Sequence, residues 1–128
     1  MKAAKDSIDI GIVVKDIGAS LRFYRDELGL EYAGQNPIPA GTLHRLRFGT
    51  SDIKLVDPKT VPSAGPEGLD AQLGYRYLTF AVANLSQLCA ALKGHGVPFA
   101  VPETELRPGV RIAMAKDPDG NIVEFVER

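Results

Sequence analysis

The feature that most constrains this chain is that its second half repeats its first. Displacing the sequence by 68 residues lays Asp9 over Tyr77, Asp16 over Asn84 and Leu21 over Cys89. After a slip of one residue, Gly29-Leu30-Glu31-Tyr32-Ala33 lies over Gly96-Val97-Pro98-Phe99-Ala100. A repeat of this length predicts two copies of one supersecondary unit.

Each copy opens with strand periodicity. Ile8, Ile10, Ile12 and Val14 alternate with Asp9, Gly11 and Val13, and Leu78, Phe80 and Val82 alternate with Tyr77, Thr79 and Ala81. This period of two places one set on a buried face and the other on the opposite face. Helical spacing follows. Leu21, Phe23, Tyr24 and Leu28 recur between Gly18 and Leu28, ahead of Gly29; Leu85, Leu88, Cys89 and Leu92 recur from Leu85 to Lys93, ahead of Gly94 and Gly96. Three strand candidates complete each copy: Glu31 to Gly34, Thr42 to Phe48 and Ile53 to Val56, then Phe99 to Val101, Val110 to Ala115 and Ile122 to Val126. Asp117-Pro118-Asp119-Gly120 supplies a tight turn before the last. The expected organisation is therefore α+β, βαβββ twice. Module one spans about 7–57, module two about 75–128, and a Pro- and Gly-rich connection runs over about 58–74. Such a connection either covers a site or merely tethers the modules.

Composition narrows the function. With 128 residues, 15 Lys plus Arg against 16 Asp plus Glu, and a sequence pI of about 6.1, the chain has no basic excess with which to neutralise phosphates. Nucleic acid is thus not an expected partner. No stretch approaches the roughly 20 apolar residues that cross a bilayer, so no membrane role is expected. Cys89 is the single cysteine, which rules out an intrachain disulfide and suits a reducing, cytoplasmic setting. Its apolar helical context predicts a packed, inert thiol.

Three motifs now combine. Asp9-Ile10-Gly11-Ile12-Val13-Val14-Lys15-Asp16 opens the first module, Phe23-Tyr24-Arg25-Asp26-Glu27-Leu28-Gly29-Leu30 closes its helix, and Asp117-Pro118-Asp119-Gly120-Asn121-Ile122-Val123-Glu124 lies near the end. In this order, across a duplicated frame from Ile8 to Arg128, they resemble the vicinal oxygen chelate superfamily, which includes glyoxalase I, methylmalonyl-CoA epimerase, extradiol dioxygenases and the fosfomycin- and bleomycin-resistance proteins. The resemblance implies two βαβββ modules side by side, whose curved mixed sheets form a half-barrel around a pocket with the helices outside. It also implies a homodimer.

In metal-using members of that family four strand positions supply ligands, and these fall on Asp9, Lys54, Tyr77 and Glu124. The pattern calls for His, Glu or Gln, His, and Glu; only Glu124 agrees. An ammonium has no lone pair to give a metal until it loses a proton. The expectation is therefore no metal and no cofactor, with Lys54 standing where the cation would be and Asp9 and Glu124 paired with it in a buried cluster. A vestigial pocket filled by a salt bridge is the plain alternative. Tyr77 is a candidate acid and Thr79 a candidate substrate contact.

His44 is a candidate substrate contact if Leu43 faces the helices and His44 the cavity; otherwise it is a partly exposed strand residue. Arg111, on the strand beside Glu124, either clamps an anionic ligand or is one of several solubilising arginines. His95, in the Gly94-His95-Gly96 turn, is expected at the helix end or in solvent. The leading functional expectation is a metal-independent isomerase, epimerase or lyase acting beside a carbonyl of a small polar metabolite. Lys54 is then the fixed cation and Glu124 or Asp9 the base. The alternatives are a protein that sequesters a small molecule, as bleomycin-resistance members do, and a metalloenzyme with ligands moved to His44 and Glu124.

Overall fold

Residues 1–128 are all described by the structure, a computed structural model. Two compact units divide the chain, Met1–Ser63 and Ala64–Arg128, and each carries one copy of the repeat.

In the first unit β1 (Ile10–Val13) leads into α1 (Ile17–Leu21), and then β2 (Glu31–Ile38), β3 (Gly41–Phe48) and β4 (Ser51–Pro58) follow. The sheet order is β1-β4-β3-β2, with β1 parallel to β4 and the other pairs antiparallel. Asp16 caps α1, its carboxylate accepting from the Ala19 N–H at 3.0 Å, which satisfies one of the helix's free donors. The expected helix from Gly18 to Leu28 is not α-helical throughout. From Arg22 to Glu27 it widens into a π-helix, closed by the Leu28 N–H donating five residues back to the Phe23 carbonyl at 2.9 Å.

The second unit repeats the plan with β5 (Tyr77–Ala81), α2 (Leu85–Gly94), β6 (Phe99–Arg107), β7 (Val110–Lys116) and β8 (Ile122–Glu127), in the sheet order β5-β8-β7-β6. The duplication reaches single hydrogen bonds. Val14 N–H donates to the Val56 carbonyl at 3.0 Å, and its counterpart Val82 donates to Val126 at 2.9 Å. Both helical segments are followed by a glycine in the left-handed region, Gly29 at φ 77° and Gly96 at φ 76°, a conformation costly for any side chain.

Strand periodicity sorts the faces. In the first unit Ile53, Leu55, Leu46 and Val14 are buried with Phe23 and Tyr24; in the second Phe80, Val123, Phe125, Ala113 and Ala115 are buried with Leu85, Cys89 and Leu92 of α2. Cys89 is inside as expected, and burial pushes its thiol's pKa up. The opposite face of each sheet carries Gly11, Val13 and Lys54, or Tyr77, Thr79 and Glu124.

Strand lengths differ from expectation. β2 and β3 run almost to their connection, so residues 37–42 form a hairpin with Pro39 and Ala40 at its tip. β6 extends to Arg107 through Pro102 and Glu103, residues that disfavour strands. Its register against β7 slips at three points, the irregularity with which an edge strand accommodates them. The Asp117-Pro118-Asp119-Gly120 turn forms as expected. The Asp117 carboxylate accepts from the N–H groups of Asp119 and Asn121, both at 2.9 Å, which aims β8 and hence Glu124.

Candidate functional site

Lys54 lies on β4 between Ile53 and Leu55, which are 2% and 0% exposed, so the strand's alternation turns its ammonium to the open face. The Nζ sits 3.3 Å from Asp9 Oδ2. Asp9, immediately before β1, accepts two further hydrogen bonds at Oδ1, from Lys5 Nζ at 2.5 Å and from the Asp52 N–H at 2.9 Å. The Lys5 ammonium first, then the Asp52 N–H, and Lys54 besides, hold the Asp9 carboxyl far below the usual carboxylate range. The side chains of Lys54 and Asp9 remain about a third and a quarter exposed, so this ion pair is half-buried rather than deeply buried.

This arrangement sets a pH dependence. A carboxyl whose folded pKa is depressed adds stability that is fully present above its unfolded value and lost as pH falls through the folded one. The urea midpoint of the wild type should therefore exceed that of Asp9→Asn by a constant margin above about pH 5, and the margin should shrink steadily below about pH 4, where a free aspartate takes up its proton. A margin independent of pH down to strong acid would contradict the role assigned to Asp9.

In the second unit Thr79 and Glu124 are register partners on the parallel pair β5 and β8. The Thr79 hydroxyl donates to Glu124 Oε2 at 2.5 Å. Tyr77, two residues earlier on the same face, is 54% exposed. Beside them on that face lies an apolar cluster of Ile112, Met114, Ile122 and Val126.

Two candidates fall elsewhere. His44 is the register partner of Leu55, which places it on the helix-covered face, 8% exposed, with Nδ1 2.9 Å from the Tyr32 hydroxyl. The conditional expectation fails because Leu43, not His44, shares the face of Lys54. Arg111 pairs in register with Glu127 rather than Glu124, and it lies three positions, an odd offset, from Glu124's partner Met114, so it faces the helix side. There its guanidinium forms ion pairs with Glu103 and Glu127 and donates to Ser86 Oγ; Glu127 in turn accepts the Leu85 N–H at 2.9 Å. Arg111 thus clamps the start of α2, where the uncapped Asn84 leaves donors free, and its carboxylate partners are the protein's own. Lys5 and Arg45 were not singled out from sequence. The signal for Lys5 was its spacing of four residues from Asp9, which carries little weight outside a helix.

Comparison with known proteins agrees with this frame. Residues 8–125 match the glyoxalase/bleomycin resistance protein/dioxygenase superfamily. The chain belongs to that superfamily. A probable lactoylglutathione lyase of Synechocystis sp. (strain ATCC 27184 / PCC 6803 / Kazusa) is 26% identical over 119 residues, covering 91% of this chain and 90% of that protein. The crystal structure of the glyoxalase family protein from Enterococcus faecalis superposes with a TM-score of 0.75 at 26% identity, over 97% of this chain and 98% of that one. TnmS3, an antibiotic binding protein from Streptomyces sp. CB03234, shares the fold with a TM-score of 0.72 at 23% identity, each chain covered to 98%.

Glyoxalases of this superfamily imply a divalent metal, and the residues at the corresponding positions do not fit one. Lys54 presents N–H donors, and both Asp9 oxygens are already engaged by donors. His44, the imidazole offered for a relocated site, faces away from Lys54 and is engaged by Tyr32.

Proposed function

We propose that this superfamily member is a metal-independent isomerase, epimerase or lyase acting on a small ligand beside a carbonyl group. The observation that carries the reading is an ammonium, Lys54, ion-paired to Asp9 at a strand position where metal-using relatives place a ligand. Enolate chemistry needs a base to take the proton from the carbon next to the carbonyl and a positive group for the oxygen that receives the electron pair. In the first unit Lys54 is assigned the positive charge without a metal; in the second, Glu124, oriented by the Thr79 hydroxyl, is the candidate base and Tyr77 the candidate proton donor. A positioned acid or base contributes about 10² to 10⁴ in rate, within what such chemistry requires.

The test is solvent deuterium incorporation into S-lactoylglutathione, at the carbon beside its thioester carbonyl, by chelator-treated protein. Exchange without added metal supports the proposal. Exchange that appears only when zinc or nickel is restored overturns it. Tight binding with no exchange overturns it in favour of sequestration, for which the apolar cluster of Ile112, Met114, Ile122 and Val126 is suitable lining. Thr79→Val should lower exchange about tenfold, the effect of losing one hydrogen bond to a charged group, and Thr79→Ser should restore it. The reading includes a homodimer, because each four-stranded sheet ends in edge strands, β1 and β2 or β5 and β6, and strand edges favour pairing. Light scattering should give twice the 13.8 kDa chain mass, and a mass of 13.8 kDa would refute that part.

A further inference from the structure

On the open face of the first sheet one register row of residues runs across all four strands: Gly11 on β1, Lys54 on β4, Arg45 on β3 and Gly34 on β2. Two cations therefore stand directly opposite each other in a ladder, a pairing that is destabilising unless a counter-charge meets it. Neighbouring carboxylates do not complete the match. Asp9 takes both Lys54 and Lys5. Asp52 lies 3.5 Å from Arg47 and only 4.0 Å from Arg45. Glu31 is the register partner of Arg47, not of Arg45. Lys5, Arg45, Arg47 and Lys54 thus face Asp9, Glu31 and Asp52, and the excess positive charge is centred on Arg45.

The Arg45 guanidinium is also short of acceptors. Its one hydrogen bond, from Nη2 to the Ala33 carbonyl, is long at 3.4 Å, and its Nε is buried with no partner. Buried guanidinium donors are normally satisfied, so an unmet one marks a place for an acceptor. The flanking glycines keep the space clear. A methyl group built on Gly11 would meet nothing within 4 Å, and one on Gly34 would come to 3.7 Å of Arg45 Nη2. The next row on the same face, Val13, Val56 and Leu43, is apolar.

We propose that Arg45 and Lys54 form a binding site for an oxyanion, a carboxylate or phosphate group, carried by a ligand whose short apolar body lies along Val13, Val56 and Leu43. Arg45 provides paired N–H donors in a plane, the geometry that two oxygens of one anion accept, and Lys54 provides the second charge. This substrate class rests on the reading of Lys54 as a ligand-facing cation, but its test uses no catalysis.

The experiment is a proton–nitrogen NMR titration of the full chain with inorganic phosphate and, separately, malonate, at an ionic strength held constant with chloride. Saturating shifts centred on the amides of Gly11, Gly34, Arg45 and Lys54 are expected with at least one of the two, and the one that saturates names the group. Arg45→Gln should weaken binding at least about tenfold, as loss of a charged hydrogen-bonding partner does. Gly11→Val, which keeps every charge and a strand-forming residue, should do the same by filling the space beside Lys54, and the spectrum itself reports that each variant is folded. Unchanged affinity in Arg45→Gln, or small unsaturating shifts spread over all the basic residues, would overturn the site. A chain that binds these anions but exchanges no protons keeps this inference and loses the catalytic one; exchange without anion binding does the reverse.

Discussion

Replacing Lys54 with methionine is expected to leave the fold nearly as stable as before and to remove most of the exchange activity. The pair with Asp9 is half-buried, and Asp9 keeps Lys5 and the Asp52 N–H when the ammonium is gone. An ion pair this exposed contributes little, so the urea midpoint should barely move. The roughly 3–5 kcal/mol expected for breaking a buried pair does not apply, because solvent still reaches both partners. Activity is different. A positive group aimed at an oxygen that gains charge only in the transition state is worth about 10²- to 10³-fold, and Met offers neither charge nor donor. Lys54→Arg keeps the charge with altered geometry and should recover part of the loss. Deuterium exchange set beside urea unfolding separates the two effects; wild-type exchange by Lys54→Met would exclude Lys54 from the mechanism.

Phe125→Ala should be the most damaging single truncation for stability. Phe125 is 1% exposed on β8 and stacks on Phe80 of β5, with ring centroids 6.2 Å apart and planes inclined by 18°. Removing a buried aromatic ring costs about 3–5 kcal/mol through lost transfer energy and the cavity left behind. Domains hold only about 5–15 kcal/mol in reserve, so the variant should unfold at a much lower urea concentration. Phe125→Leu, which fills most of the volume, should cost less than about 1.5 kcal/mol. Because Phe125 follows Glu124 directly, the alanine variant should also loosen the Thr79 contact and lose exchange before it unfolds. An unfolding midpoint within error of the wild type would show that the second unit's core does not depend on this pair.

Much of the fold was legible because its determinants are local. The duplication, the period-two strands, the Asp117 turn and the inward Cys89 all follow from spacing along the chain, and so does the separation of Lys54 from Ile53 and Leu55. Alternation says that neighbours face opposite ways; it does not say which way is in. For His44 that choice, which the sequence left open, was made by pairing with Leu55 on another strand. Arg111 was placed on the right neighbouring strand, but its register with Glu127 turned it to the other face. The engagement of Asp9 by the Asp52 N–H joins residues 43 apart, and the row of Gly11, Lys54, Arg45 and Gly34 draws on four strands. The sequence by itself determined which elements form and which residues alternate, since backbone geometry couples only near neighbours. Register, and with it the face and partners of every charged side chain, was decided by tertiary structure, because it depends on which distant strands pair and where the helix covers them.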